Sequence, residues 1–298
     1  MEKKIKSIEL YRTNVMLTDP DEEGSLMDES LISQTFYDES GNETERITFS
    51  PSGDPEERVI TRYKNGHPTE EILELEGDVA ERTTREFDES GLVIREFRHY
   101  QDGDPDQISY TYENGHPVMK LTTDGDGEEG EKYLWLYNGG KLEREEFYNE
   151  YGEAELVRNH SYSDEGKLSE TEELRFSEGM QHRAVFIFDE NGNMIQEKRY
   201  DTKGNLIARS IITIDENSRA LRTEEETRLG KTSSEFTYDE QGNNILLEEK
   251  NTNGDIIARI ERQFDENNRV VSTEVMMEAA MNRPGQHYTL RYAYGFWE

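Results

Sequence analysis

The sequence predicts an all-β fold, a long antiparallel β-meander of about 20 strands built from hairpin repeats of about 25 residues into a coiled or curved extended sheet. Three observations carry this. First, ten turn motifs recur in phase: Tyr37-Asp-Glu-Ser-Gly41-Asn, Tyr63-Lys-Asn-Gly66, Phe87-Asp-Glu-Ser-Gly91, Tyr112-Glu-Asn-Gly115, Tyr137-Asn-Gly139, Tyr162-Ser-Asp-Glu-Gly166, Phe188-Asp-Glu-Asn-Gly192-Asn, Ile214-Asp-Glu-Asn217, Tyr238-Asp-Glu-Gln-Gly242-Asn and Phe264-Asp-Glu-Asn-Asn268. Second, another set interleaves with them: Gly53, Gly77, Gly103, Gly127, Gly152, Gly179, Gly204, Gly230 and Gly254. Turns then fall about every 11 to 14 residues and leave strands of roughly 6–9 residues, an ordinary strand length. Third, the intervening segments alternate with period two. Leu206, Ala208, Ser210, Ile212 and Ile214 share one face, as do Ile256, Ala258, Ile260, Arg262 and Phe264, and again Tyr288, Leu290, Tyr292 and Tyr294. Their neighbours are mostly Glu, Lys, Arg, Gln and Thr, which predicts one apolar and one solvated face.

Taken in order, residues 1–30 form an N-terminal cap, 31–274 the hairpin repeats and 275–298 an aromatic C-terminal cap holding Tyr288, Tyr292, Tyr294, Phe296 and Trp297. Repeat proteins need such caps because an uncovered last strand leaves unpaired backbone groups. No internal boundary appears, so 1–298 reads as a single repeat domain. Residues 17–30 are the stretch where disorder competes best, and Val275–Met281 can form one short helix. Within each turn, Asp caps its own backbone, Glu fits a right-handed position, and Gly supplies the φ > 0 residue that closes a type I turn with a bulge. Asn217 and Asn267/Asn268 take over where Gly is missing, since Asn tolerates the left-handed region. Consecutive turns lie on opposite edges, so all ten aromatic-led turns share one edge. The aromatic before each turn packs over the neighbouring strand.

Of the 298 residues, 67 are acidic and 34 basic, a formal net charge of -33. Phosphate contacts require Lys and Arg, so direct binding of nucleic acid or an anionic membrane is disfavoured, while basic proteins or cations are attracted. The hydrophobic class is 32%, enough only for a thin core. There is no cysteine, hence neither disulfide nor thiol chemistry. The N-terminal Met-Glu-Lys-Lys-Ile-Lys lacks the apolar stretch of a signal peptide, and no run approaches the ~18–20 apolar residues of a membrane span. The expected location is the cytoplasm, with a surface or secreted location the expectation if a leader was removed.

Tyr200-Asp-Thr-Lys-Gly204-Asn-Leu206, Phe188-Asp-Glu-Asn-Gly192-Asn-Met194 and Tyr238-Asp-Glu-Gln-Gly242-Asn resemble the tyrosine-aspartate (YD) repeat of bacterial Rhs proteins and teneurins. The Tyr-x-Asn-Gly turns at Tyr63–Gly66, Tyr112–Gly115 and Tyr137–Gly139 look more like MORN-variant repeats. The resemblance covers roughly residues 35–270. In Rhs-like proteins such repeats form a coiled β-shell around a toxic domain. These 298 residues are far fewer than such a shell uses, and no toxin-like domain is recognised in them. What the resemblance is expected to carry over is the β-sheet fold and a tendency toward binding or surface roles rather than encapsulation.

Five Asp-Glu pairs, Asp88/Glu89, Asp189/Glu190, Asp215/Glu216, Asp239/Glu240 and Asp265/Glu266, fall on the shared edge. Paired carboxylates serve glycosidases, but there they face each other across a single cleft. Repeated pairs adjacent in sequence on exposed turns read instead as a stripe of negative potential that steers a basic partner. Asp102-Gly-Asp104-Pro-Asp106 and Asp124-Gly-Asp126-Gly-Glu128 look like calcium-loop fragments, but Glu129 stands where an EF-hand loop needs Gly. They read as acidic hairpin turns. His67 and His116 recur in Asn-Gly-His-Pro turns and read as turn residues. No nucleophile elbow, phosphate loop or zincin helix is present. The expectation is a non-enzymatic binding or scaffold protein without metal or cofactor, engaging a basic protein as immunity protein, chaperone or assembly subunit. The alternative is a surface-associated structural module that binds carbohydrate or calcium.

Overall fold

The computed structural model describes residues 3–15, 29–177, 180–279 and 284–298. The disorder-prone stretch expected at 17–30 falls largely on 16–28, outside the described residues. All 22 strands belong to one antiparallel sheet. They are β1 (Ile5–Asn14), β2 (Ser30–Tyr37), β3 (Glu43–Phe49), β4 (Pro55–Lys64), β5 (His67–Leu75), β6 (Asp78–Phe87), β7 (Val93–His99), β8 (Asp106–Glu113), β9 (His116–Thr123), β10 (Glu129–Asn138) and β11 (Lys141–Tyr148). The series continues with β12 (Ala154–Tyr162), β13 (Leu168–Ser177), β14 (Met180–Phe188), β15 (Met194–Tyr200), β16 (Leu206–Ile214), β17 (Ala220–Thr227), β18 (Gly230–Tyr238), β19 (Asn244–Lys250), β20 (Ile256–Phe264), β21 (Val270–Met277) and β22 (Gln286–Phe296). The expected meander of about twenty strands is therefore the fold, and the short helix expected at Val275–Met281 is not: Val275–Met277 end β21. Val275 pairs with Tyr288 across the ladder, and a β-branched residue fits that position better than a helix.

Backbone contacts divide the chain into two units, one of residues 1–84, 236–250 and 254–298, the other of 85–235 and 251–253. In the first unit β1 pairs on one side with β2, Glu9 opposite Gln34, and on the other with β22, Glu9 opposite Ala293. The first and last strands are thus hydrogen-bonded to each other.

Two turn geometries build the hairpins. In the five-residue class, Gly41 N–H donates to the Asp38 carbonyl at 3.0 Å and Asp38 N–H to the Asn42 carbonyl at 2.9 Å, with Gly41 at φ 88°. This is the expected type I turn closed by a left-handed residue. The Asn-Gly turns differ: Asn65 and Gly66 (φ 54° and 81°) and Asn114 and Gly115 (51° and 80°) are both left-handed, the two-residue type I′ class. In the Ile214 turn the left-handed residue is Ser218 (φ 63°) rather than Asn217, because Ser218 occupies the glycine slot and bonds back to the Asp215 carbonyl at 3.1 Å. In the Phe264 turn Asn268 (φ 59°) holds that slot.

The aromatic before the turn does more than pack. A bulge shifts the register just ahead of it, between Phe36 and Tyr37, Arg62 and Tyr63, Thr111 and Tyr112, and Ser161 and Tyr162. At three of these turns the tyrosine hydroxyl reaches a carbonyl at or next to the start of the preceding strand: Tyr63 donates to the Glu43 carbonyl (3.0 Å), Tyr112 to Val93 (2.9 Å) and Tyr162 to Leu142 (2.6 Å). Tyr294, in the last strand, makes the same kind of bond to Val270 (2.8 Å).

The core is thin. Ile108, Leu156, Val157, Val185 and Ala208 are buried in the second unit and Val275 in the first. The expected division into one apolar and one solvated face does not hold. In the second unit, cross-strand pairs Phe147–Leu156, Glu145–Arg158 and Arg158–Glu173 put aromatic, aliphatic and charged residues on one face. The opposite face carries buried Val157 and Val185, and Val185 lies opposite Glu172, which binds Arg183. In the first unit Arg58, Ile60 and Arg62 stand opposite Glu74, Ile72 and Glu70 on one face, while on the other Leu73 lies between Val59 and Glu81. Arg–Glu ladders neutralise each other across strands, and their alkyl stems cover the sheet where aliphatic residues are scarce.

Candidate functional site

The turn aspartates are structural before they are anything else. Asp189 Oδ1 accepts the backbone N–H groups of Asn191 (2.8 Å) and Asn193 (2.9 Å), and Oδ2 accepts the Asn193 side-chain amide (3.0 Å). Asp239 does the same with Gln241 and Asn243. Asp215 and Asp265 cap Asn217 and Arg219, and Asn267 and Arg269, and each binds the arginine at 2.6 Å. Asp88 caps Ser90 and Leu92 and also accepts the Ser90 hydroxyl. These donors hold the carboxyls below the usual range. The largest cause is the Asn193 amide at Asp189, the Asn243 amide at Asp239, the Arg219 backbone N–H at Asp215, the Arg269 guanidinium at Asp265 and the Ser90 hydroxyl at Asp88.

The glutamates behave differently. Glu89, Glu190, Glu216, Glu240 and Glu266 are exposed at the turn tips and take no ion-pair partner among the described residues. Several strand glutamates are instead occupied: Glu70 by Arg62 and Arg82, Glu74 by Arg58, Glu96 by Arg85. In each pair the aspartate is thus fixed by its turn, and the glutamate is the carboxylate left exposed and without an ion-pair partner among the described residues. Each of the five turns joins an even-numbered strand to the next odd-numbered one. The first unit carries those of Asp239/Glu240 and Asp265/Glu266, the second those of Asp88/Glu89, Asp189/Glu190 and Asp215/Glu216. Turns are also linked sideways, by Asn193 Nδ2 to Ser218 Oγ (3.0 Å) in the second unit and Asn243 Nδ2 to Asn268 Oδ1 (3.0 Å) in the first.

Other residues share the aspartate role. Asp38 caps Ser40 and Asn42 on the same kind of turn, and Asp201, in the Tyr200-Asp-Thr-Lys-Gly204-Asn motif, caps Lys203 and Asn205. The Asn205 amide is the main cause that holds the Asp201 carboxyl down to about 2. Asn149 repeats the pattern with a neutral oxygen, accepting from Tyr151 and Glu153. The aromatic-Asp or aromatic-Asn pair preceding each was the available signal.

The two Asp-Gly runs meet in the second unit. A Cβ at Gly125 would lie 2.4 Å from the Asp104 carbonyl oxygen, so Gly125 is there for close backbone approach. Asp124 Oδ1 is used by the N–H groups of Asp126 and Glu128. Among the described residues no three His, Asp or Glu side chains gather into a metal group. His67 and His116 open β5 and β9, in different units, and the His116 ring stacks on Tyr137 at 5.0 Å.

One constellation was not foreseen. Glu173, 6% exposed, accepts from Arg158 Nε at 2.7 Å and Arg175 Nε at 2.6 Å. Beside it His160 bridges Thr171 Oγ1 and Glu145 Oε1, each at 2.9 Å. Thr171 is itself buried and engaged, so the chain of bonds reads as a satisfied polar core layer rather than an activated hydroxyl. Its members come from three strands, which local sequence does not align.

Fold and turn chemistry together define a β-hairpin repeat protein with aspartate-locked, glutamate-tipped turns. No protein-family model matches the chain, and no curated protein matches it. Among solved structures it is similar to TcdB2-TccC3-TEV, at 15% identity and a TM-score of 0.33 over 86% of this chain. The chain spans only 16% of that protein's length. It is also similar to a porin-like protein from Bacteroides uniformis, at 12% identity and a TM-score of 0.35 over 99% of both chains. A porin-like protein from Bacteroides vulgatus matches at 10% identity and a TM-score of 0.24 over 74% of this chain and 96% of its own. Backbone likeness at this level carries no argument about role. No helix among the described residues is long and apolar enough to cross a membrane.

Proposed function

We propose that this chain is a non-enzymatic binding or scaffold protein of the YD-repeat type whose glutamate-tipped turns engage a basic protein. Its concrete form would be an immunity protein, a chaperone or a subunit of a larger assembly. The observation that carries the reading is the division of labour within each Asp-Glu pair. Asp is consumed by the turn, while the neighbouring Glu is exposed and unpaired, so repeated turns project negative charge from a rigid frame. Such a field speeds encounter with a basic surface and favours it over acidic competitors. Charged residues on both faces of the strands support a protein bathed in water, for which the cytoplasm is the proposed location. A hydrocarbon-facing sheet instead needs an outward apolar band.

The test replaces only the tips. Glu190→Lys, Glu216→Lys, Glu240→Lys and Glu266→Lys together leave every aspartate cap in place. A basic protein retained from lysate by the parent at low salt, released at high salt and lost by the quadruple variant supports the reading. Equal capture by parent and variant sinks it. Reversing Asp189 or Asp239 would be a poor test, because it also removes the turn caps.

A further inference from the structure

The first unit contains a cavity of about 460 Å³ that the acidic-turn reading does not use. It is open to solvent and lies at the start of β1, beside the Asp38–Asn42 and Asp265–Arg269 turns. Its polar lining is cationic and hydroxylic: Lys3, Lys4, Arg269, Tyr37 and Ser40, with no carboxylate. Ile5 and Ile8 supply apolar wall. On a chain of net charge -33 this composition is a local reversal. Lys3 and Lys4 form no ion pair among the described residues, and Lys4 Nζ donates only to the Glu39 carbonyl, at 2.5 Å. Arg269 is partly neutralised by Asp265.

Tyr37 adds an uncommitted hydroxyl to this wall. It occupies the pre-turn position whose hydroxyl, at Tyr63, Tyr112 and Tyr162, is bonded to a carbonyl at or next to the start of a neighbouring strand. The Tyr37 hydroxyl makes no such bond among the described residues. At the start of β1 the Lys4 carbonyl is instead taken by the Trp297 backbone N–H at 3.0 Å. A donor used structurally elsewhere in the repeat is thus left at the wall of a lysine-rich cavity.

We propose that this cavity binds a small organic anion, with Lys3 and Lys4 holding its carboxylate or phosphate oxygens, Tyr37 and Ser40 donating hydrogen bonds, and Ile5 and Ile8 covering its apolar body. Its volume is in the range of roughly 300–1,000 Å³ that small-molecule sites occupy. Charge-assisted bonds to anionic oxygens are the strong ones available here.

The experiment is calorimetric titration of the full chain with benzoate, phenyl phosphate and neutral benzyl alcohol. Saturable binding of an anion is expected, with benzyl alcohol much weaker, and the tighter of the two anions tells carboxylate from phosphate. The Lys3→Gln/Lys4→Gln double variant should lose about tenfold in affinity, and Tyr37→Phe roughly threefold. Both variants should melt with the parent, since neither breaks an ion pair or a tyrosine bond of the fold. Absence of saturable anion binding overturns the proposal. So does unchanged affinity in the lysine variant, or benzyl alcohol binding as well as the anions.

Discussion

Glu173→Gln isolates what a buried charge contributes to a core this thin. Gln keeps the volume and one acceptor oxygen but removes the charge that two arginines share. Glu173 is 8% exposed at its side chain, Arg158 34% and Arg175 60%. A charge-assisted bond to a buried group is worth about 1.5–3 kcal/mol. Arginines this open to solvent bring each contribution toward the screened value of about 0.5–1 kcal/mol. Leaving Arg158 partly enclosed with only Glu145, at 3.9 Å, adds a further cost. The sum is about 2 kcal/mol at neutral pH. Burial pushes the Glu173 carboxyl up, but the bonds to Arg158 and Arg175 outweigh it, so its folded pKa lies below the ordinary 4.5. A depressed carboxylate stabilises above its unfolded pKa, and that contribution disappears as pH falls through the folded one. Urea unfolding followed by circular dichroism at pH 7 and near pH 3 reads both quantities. The variant should be weaker by about 2 kcal/mol at pH 7, with a clearly smaller deficit in acid. Equal stability at pH 7, or a deficit of the same size at both pH values, would refute the reasoning.

Ser218→Gly should stabilise by about 0.5 kcal/mol in the same assay, because relief of left-handed strain exceeds the added unfolded-state entropy and the lost bond to Asn193. Tyr162→Phe should cost about 1 kcal/mol through the bond to the Leu142 carbonyl, with the far-ultraviolet spectrum unchanged. Gly125→Ala should lower stability by about 2 kcal/mol, since its Cβ would press on the Asp104 backbone; an unaffected variant would show that the two loops part easily. The folded pKa values of Asp38, Asp88, Asp189, Asp201, Asp215, Asp239 and Asp265 are all depressed. Their stabilisation is full above the ordinary aspartate pKa of 3.8 and is lost as pH falls through each lowered folded value, about 2 for Asp201, so the melting temperature should drop as the pH falls below 3.8, and less so in Asp→Asn variants.

Local sequence carried most of the architecture because the hairpin is a local object. Gly41, Gly192 and Gly242 mark left-handed positions, Asp38, Asp189 and Asp239 mark caps, and period-two segments between them can only be strands. Alternation then assigns the ten aromatic-led turns to one edge without reference to packing. Turn class was less legible: Asn65-Gly66 and Ile214–Ser218 resemble the majority motif, yet one forms a two-residue turn and the other places serine where glycine belongs. The candidate turns and their aspartate caps were readable, but the lack of an ion-pair partner at the glutamates was not, since only the folded geometry sets which charges lie beside Glu190.

By itself the sequence determined the period, the strand number to within two or so, the chemistry of the turns and the acidic character of their tips. These depend on residues within a few positions of one another. Tertiary structure decided the rest: that β1 lies between β2 and β22, that both faces carry charge, that Glu173 sits between two arginines and that Tyr37 is free to line a cavity. The physical reason is register. A one-residue bulge before an aromatic changes which side chains face each other across the ladder, and strands nearly the full chain length apart meet only when the sheet has formed.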